Sequence, residues 1–313
     1  MLGHIVRRLL LAIPTLIAVF SVIFIIVRVA PGDPATAALG DYASESAVQS
    51  LRERLGLDEP LWKQYLTFLG DLAQGDLGKS LITQRPVVDQ ITFVLPYTLE
   101  LTIVSILIGL ILGVPIGTIT AVRRNTSTDY VGRLVSLIGL SLPSFYLAVL
   151  LIYFLAVQVD LFPAVGDPGW SDPLRNLHYL VLPSLTLGLI ETAYIARMTR
   201  SVMISVLSDD YVRTARAKGL AEHNVLMKHA LRAALVPIVS LVGIFAISLI
   251  GSSVLVEEVF ARPGLGKLMV GATKQKDYTL LQSIMVIYAL IIVGINLLTD
   301  IIYTVVDPRV RYN

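Results

Sequence analysis

The chain has no cysteine, only four histidines and two tryptophans, and just 15% of its 313 residues are charged. Each shortage closes a class of function. Without cysteine there is no disulfide framework, no thiol nucleophile and no thiolate metal site. His4, His178, His223 and His229 fall in four separate contexts, and a six-residue step does not put His223 and His229 on one helix face, so no metal site is expected. A net charge of +2 gives nucleic acid no electrostatic footprint. No nucleophile elbow, zinc-binding helix or dinucleotide fingerprint occurs, which leaves a membrane enzyme without machinery.

Charge is scarce because apolar residues are abundant. Ordinary soluble domains carry about 25% charged residues; here 55% of the chain is hydrophobic and several stretches exceed 18 residues with almost no charge. Such runs read as transmembrane helices. Six are expected: Leu9–Val29, Thr98–Val122, Leu134–Val157, Leu180–Met203, Leu235–Val256 and Ser283–Val305. The start, with Arg7 and Arg8 before an apolar run, imitates a signal peptide. The run is long enough to span, however, and Ala30-Pro31-Gly32-Asp33-Pro34 offers no small-residue cleavage site, so an uncleaved first span is expected.

Orientation follows from lysine and arginine. The segments inside, if the N-terminus is inside, hold 14 basic and 5 acidic residues; those outside hold 10 and 15 in nearly twice the length. Both termini are therefore expected in the cytoplasm. The organisation is a first span with an extracytoplasmic helical segment over 1–95, a transmembrane domain over 96–307 with a cytoplasmic loop at 204–234, and a cytoplasmic tail at 308–313. In the outer segment Ser44–Leu55 and Pro60–Leu72 read as short helices, the second with Trp62, Tyr65, Leu66, Phe68 and Leu69 at helical spacing. Within it Gly78-Lys79-Ser80 imitates a phosphate loop, but the first glycine is missing, no strand precedes it, and it lies on the wrong side for ATP.

Gly109, Gly113 and Gly117 repeat every four residues on the second span, a face that lets helices approach closely in lipid. Pro115 should kink the same span, and Pro143, Pro183 and Pro237 lie in or at the ends of others. Few ionisable groups sit within the spans. Arg28 and Glu100 lie near outer ends, where they can pair or snorkel. Glu191 is mid-way along the fourth span. It reads equally as a contact in a translocation path and as a structural hydrogen bond to a neighbouring helix, and Asn296 and Asp300 invite the same two readings.

The stretch Ser208 to Pro237, SDDYVRTARAKGLAEHNVLMKHALRAALVP, falls on the cytoplasmic side yet is not loop-like. Ser208 is placed to N-cap a helix, with Asp209 and Asp210 in its first turn and Asp209 four residues before Arg213. Lys218 falls in the last turn, and Gly219 suits the left-handed position that ends a helix. A second helix follows with Val225, Leu226, His229 and Ala230 on one face, until Pro237 opens the next span. Together they make a basic knob under the membrane. Taken alone, such a loop also reads as lysine and arginine obeying the positive-inside rule against lipid headgroups.

Thr214-Ala215, Gly219 and His229-Ala230-Leu231 resemble the EAA loop of ABC-importer permeases, keeping Ala215, Gly219 and Leu231 at that pattern's spacings and departing at Arg213, His229 and Arg232. RTARAKGL…HALRAAL looks like the wording of the dipeptide/oligopeptide/nickel permeases. RLGLDEPLWKQYLTFLGDLAQGDLGKSL resembles the outer segment of the same family. So does GSSVLVEEVFARPGLGKLMVGATKQKDYTLLQ, in which Arg262-Pro263-Gly264 reads as a tight turn, Gly266 as a second bend, and a surface helix as running through Ala272. The resemblance implies an all-α polytopic fold of six spans, the type I ABC-importer permease fold. It implies a non-catalytic subunit that works with a second homologous permease, two cytoplasmic P-loop ATPases holding ATP and Mg, and an extracytoplasmic solute-binding protein. It also implies coupling to the ATPases through Ser208, Asp209, Tyr211, Arg213, Thr214, Ala215, Arg216, Lys218, Gly219, His229 and Leu231. An outer gate facing the binding protein is implied around Arg262, Pro263, Gly264 and Gly266. Di- or oligopeptides are the commonest cargo of that family, with nickel chelates, glutathione, opines and sugars also carried. An ion-gradient-driven secondary transporter using Glu191, or a membrane scaffold, would need no ATPase.

Overall fold

In hydrocarbon no water satisfies backbone polar groups, so uncharged runs of this length must fold as helices. The computed structural model describes residues 2–29, 33–40 and 43–306; the tail expected at 308–313 lies outside them. The elements are α1 Leu2–Val29, α2 Pro34–Leu39, α3 Glu45–Arg54, α4 Leu61–Ala73, α5 Val87–Val122, α6 Ser127–Ser141 and α7 Ser144–Leu151 with a π-helical continuation Ile152–Gln158. They continue with α8 Pro173–Leu207, α9 Asp210–Ala217, α10 Glu222–Asn224 with a π-helical continuation Val225–Leu231, α11 Arg232–Val259, α12 Leu265–Lys274 and α13 Tyr278–Val306. Among the described residues no strand occurs beyond one isolated bridge between Lys79 and Pro86.

Among the described residues five runs are long and apolar enough to cross a membrane: Val6–Val29, Val87–Val122, Pro173–Leu207, Glu222–Val259 and Tyr278–Ile302. The third expected span, Leu134–Val157, is broken. Ser127–Ser141 and Ser144–Gln158 meet at 102°. The cause is Pro143: the residue before a proline is pushed out of the helical region, and Leu142 is extended at ψ 125°. By contrast α5 runs unbroken through Pro115, and α11 holds Pro237 in its interior. The expectation that Pro237 separates a second knob helix from the fifth span is therefore corrected. That limb passes through π-helical turns into α11 as one run, because Ala230, Ala234 and Ile238 keep one continuous face buried against Ala121 and Met203.

The chain divides into two compact units, residues 97–262 with 295–313 and residues 2–96 with 263–294. The first centres on Leu101, Ala148, Leu180, Leu182, Leu187, Leu249, Val256 and Phe260. In the second, Val87, Ile91, Val94, Leu265, Ala272, Leu280 and Ile284 form one cluster, and Ile23, Val286 and Ala289, with Phe68 and Leu72 packed on them, form another. Here α2 and α3 start where short polar residues offer a cap: Ser44 accepts from the Ala47 amide and Asp33 from the Thr36 amide. Gly266 lies buried in the first turn of α12, with Gly264 as its N-cap, so it makes no second bend.

The glycine face of α5 lies against α8. A β-carbon at Gly113 would fall 2.8 Å from Ile195 Cβ, and one at Gly117 would fall 2.5 Å from the Ala196 carbonyl oxygen. Because the second obstacle is backbone, even alanine is too large at 117. Gly117→Ala is expected to destabilise the protein by about 1–3 kcal/mol through overpacking, read as a lower thermal unfolding midpoint in detergent. An unchanged midpoint would mean that α5 and α8 do not approach this closely.

Candidate functional site

Between α8 and α11 the chain builds a small helical knob. Ser208 closes α8 as its C-cap rather than opening α9, and Asp209 is the N-cap residue. The chain turns there because the Ser208 and Asp209 amides bond back to the Ser205 and Val206 carbonyls. The acid paired with Arg213 is Asp210, at 3.5 Å, not Asp209. α9 is strongly two-faced. Val212 and Ala215 are buried with Val225 against Val206 and Leu207. Tyr211, Arg213, Thr214, Arg216 and Lys218 lie on the exposed side.

Gly219 closes α9 at φ +75°, and a β-carbon there would meet nothing within 4 Å. The constraint is therefore the left-handed backbone and not space. Arg216 bonds Glu222 at 2.8 Å across this turn, tying the two limbs. That carboxylate raises the Arg216 guanidinium above its ordinary value. His229 and Leu231 are half-buried in the π-helical limb behind the turn. The candidate coupling residues thus separate into an exposed basic face, a buried support at Ala215, and a second limb that does not share the exposed face.

Two buried ion clusters hold α8. At one end Asp129, fully buried at the start of α6, accepts from Arg200 Nε at 2.6 Å and Nη2 at 2.8 Å, from the Asn125 amide at 3.0 Å, and faces Arg133 at 3.5 Å. At the other end Arg262 pairs with Glu100, whose carboxylate also accepts from Asn176 Nδ2 at 2.9 Å. Arg262 is 1% exposed and lies 5.2 Å from the Tyr97 ring centre. A guanidinium so buried presents no surface to a partner; it joins α5, α8 and the end of α11. Arg28, at the end of α1, donates from Nε to Gln64 at 2.8 Å. Glu191 is buried on α8, and its Oε2 finds no hydrogen-bond partner among the described residues. Asn296 is exposed on α13.

Residues 113–312 match the family model for the binding-protein-dependent transport system inner membrane component, and residues 1–102 match the model for the N-terminal region of such components. The chain belongs to this family. It is 42% identical to the glutathione transport system permease protein GsiC of Pectobacterium atrosepticum, over the whole of both chains. It is 40% identical, again over the whole of both, to the dipeptide transport system permease protein DppB of Alkalihalophilus pseudofirmus. An inward-facing structure of the MetNI methionine ABC transporter matches with a TM-score of 0.55 and 25% identity, covering 67% of this chain and 93% of that one.

As an inner membrane component the chain is a multi-pass protein of the bacterial inner membrane. In this permease fold the knob lies between the fourth and fifth spans. Sequence reasoning missed Asp129, Arg200, Asn176 and Glu257. It treated the first two as ordinary inner-loop charges and Glu257 as an outer-loop acid, yet Glu257 is buried and accepts from Thr98 Oγ1 at 2.7 Å. Asp277 is likewise buried: it accepts from Ser80 Oγ and from the Leu81 and Leu280 amides, so the false phosphate loop folds onto a carboxylate.

Proposed function

We propose that this chain is the pore-forming permease subunit of an ATP-driven importer for di- or oligopeptides or a related small solute such as glutathione. The supporting observation is the exposed basic face of α9, carried on a buried Val212–Ala215 support in a chain that matches dipeptide and glutathione permeases over its full length. In this reading Tyr211, Arg213, Thr214, Arg216 and Lys218 meet a groove on a cytoplasmic ATPase. Gly219 and the Arg216–Glu222 bond set the angle between knob and α11. ATP and Mg belong to two partner ATPases, and the chain itself holds no cofactor. A second homologous permease completes the pore, and an extracytoplasmic binding protein delivers the solute.

Closure of the ATPases would push α9, and the push would enter two long helices at once. Ser208 joins α9 to α8, and the π-helical limb joins it to α11. Rigid elements with two arrangements are what alternating access needs. Glu191, a buried carboxylate with an unpartnered oxygen, fits a path-lining contact for a solute amine, and Asn296 on α13 fits a polar contact along the same path.

Gly219→Val separates coupling from folding. A β-branched residue in the left-handed region is strained, so the knob shifts while the spans stay intact. ATP-dependent solute uptake is expected to be lost with normal membrane insertion, whereas Gly219→Asn, which tolerates that backbone, retains most of it. Purification in mild detergent should bring a second permease and P-loop ATPases with the wild-type chain. Normal uptake by Gly219→Val, or solute movement by the chain alone in liposomes without ATP, would overturn the reading.

A further inference from the structure

Within the unit formed by residues 2–96 and 263–294, α1, α3, α4, the loop after α4 and the start of α13 line an open cavity of about 590 Å³. That is the size of ordinary small-ligand sites. Its lining carries both signs of charge, and apart from the Lys63–Glu59 pair at 2.8 Å these charges have no ionic partner among the described residues. Arg28, at the end of α1, is held from one side only. Its Nε donates to Gln64 Oε1, its guanidinium stacks 5.2 Å from the Phe24 ring centre, and no carboxylate faces it among the described residues. Gln64 is itself fixed, 9% exposed, with Nε2 donating to the Leu57 and Glu59 carbonyls. The effect is a braced guanidinium whose two terminal nitrogens remain for a ligand, the fork geometry that suits a carboxylate. Lys79 lines the same cavity, also with no acidic partner among the described residues.

The opposite charge is there as well. Asp71 and Asp76 line the cavity and have no cationic partner among the described residues. Partial burial and the neighbouring Asp76 push the Asp71 carboxyl above its ordinary value, as expected where two acids lack a cation. A phosphate or a simple carboxylate would answer Arg28 and leave these acids unmatched. A molecule with a carboxylate at one end and an ammonium at the other answers both.

We infer that this cavity binds a short zwitterionic peptide, with its carboxylate on Arg28 and Lys79 and its ammonium on Asp71 and Asp76. By the charge distribution the cavity lies on the extracytoplasmic side, so it would be an outer site separate from the translocation path. The inference rests on the importer reading and adds to it a second, outer site for a peptide solute. It can fail without that reading failing, because binding here needs no ATP.

The test uses the chain purified with its co-purifying subunits in phosphatidylcholine–phosphatidylglycerol nanodiscs and titrated calorimetrically. The probes are trialanine, its C-terminal amide and its N-acetyl form. Trialanine is expected to bind, and each blocked form to bind about tenfold or more weakly. Arg28→Gln should weaken trialanine about tenfold and erase the difference between acid and amide. Asp71→Asn, on an exposed face where folding is safe, should erase the difference between free and acetylated amine. Equal binding of blocked and free peptides, or unchanged binding by both variants, would overturn the proposal. So would a phospholipid retained by the wild type and lost from Arg28→Gln, seen by native mass spectrometry, without trialanine binding; the cavity would then be a headgroup site. ATP-driven uptake alongside any of these negative results would leave the importer reading standing.

Discussion

Asp129→Asn is expected to destabilise the protein by about 3–5 kcal/mol, the cost of breaking a buried ion pair and stranding one partner. The carboxylate is fully buried and meets Arg200 by two bonds, Arg133 at 3.5 Å and the Asn125 amide. Arg200 has 20% of its side chain exposed, so it keeps little access to water once its partner is neutral. The decisive comparison is Asp129→Leu with Arg200→Leu. Removing both charges leaves none stranded, and the double variant should recover most of the loss, since apolar replacement of a buried pair is often neutral. The readout is the thermal unfolding midpoint of the detergent-purified protein. A double variant no better than the single one would show that the hydrogen-bond geometry, and not the stranded charge, carries the effect. Arg200 also lies eight residues before Ser208, about 12 Å along the helix. The pair therefore fixes α6 to α8 two turns above the knob, and Asp129→Asn should lower uptake by more than it lowers protein abundance.

What the sequence made legible was local. The spans declared themselves by uncharged length, Ser44 by its capping chemistry, and Gly219 by its place after Lys218; its φ of +75° is what a helix-ending glycine supplies. What stayed hidden depended on partners far along the chain. Asp129 and Arg200 are 71 residues apart, and Glu100 and Arg262 are 162 apart. Arg262 was visible as part of a turn and the other three as charges near span ends, and nothing local says which charge meets which. Single residues also misled where two rules compete. Pro143 breaks its span and Pro237 does not: Pro143 follows an extended Leu142, whereas Pro237 sits where packing of Ala234 and Ile238 holds the helix together. The knob was placed correctly as a region and wrongly in detail. Ser208, Asp209 and Asp210 are all good cap residues, and only the end of α8 decides which of them starts α9.

The cluster at the other end of α8 should respond asymmetrically. Glu100→Leu is expected to cost about 3–5 kcal/mol, because Arg262 is 1% exposed and its Nε and Nη1 have no hydrogen-bond partner among the described residues. Without Glu100 the guanidinium would keep a contact to Asn176 Oδ1 at 3.3 Å and the Tyr97 ring at 5.2 Å. A ring face offsets only a part of such a charge, roughly 2 kcal/mol when desolvated. Arg262→Leu should cost less, about 1–3 kcal/mol: Glu100 has 21% of its side chain exposed and retains both bonds from Asn176, so the stranded charge is solvated and still hydrogen-bonded. The family resemblance implies a binding-protein contact at Arg262, and the order of these two variants tests that against its buried role. If Arg262 serves mainly a docking surface, Arg262→Leu will unfold like the wild type and lose uptake. If it is the joint between α5, α8 and the end of α11, unfolding midpoints will fall for both variants, further for Glu100→Leu, and uptake will fall in proportion to the folded protein that remains.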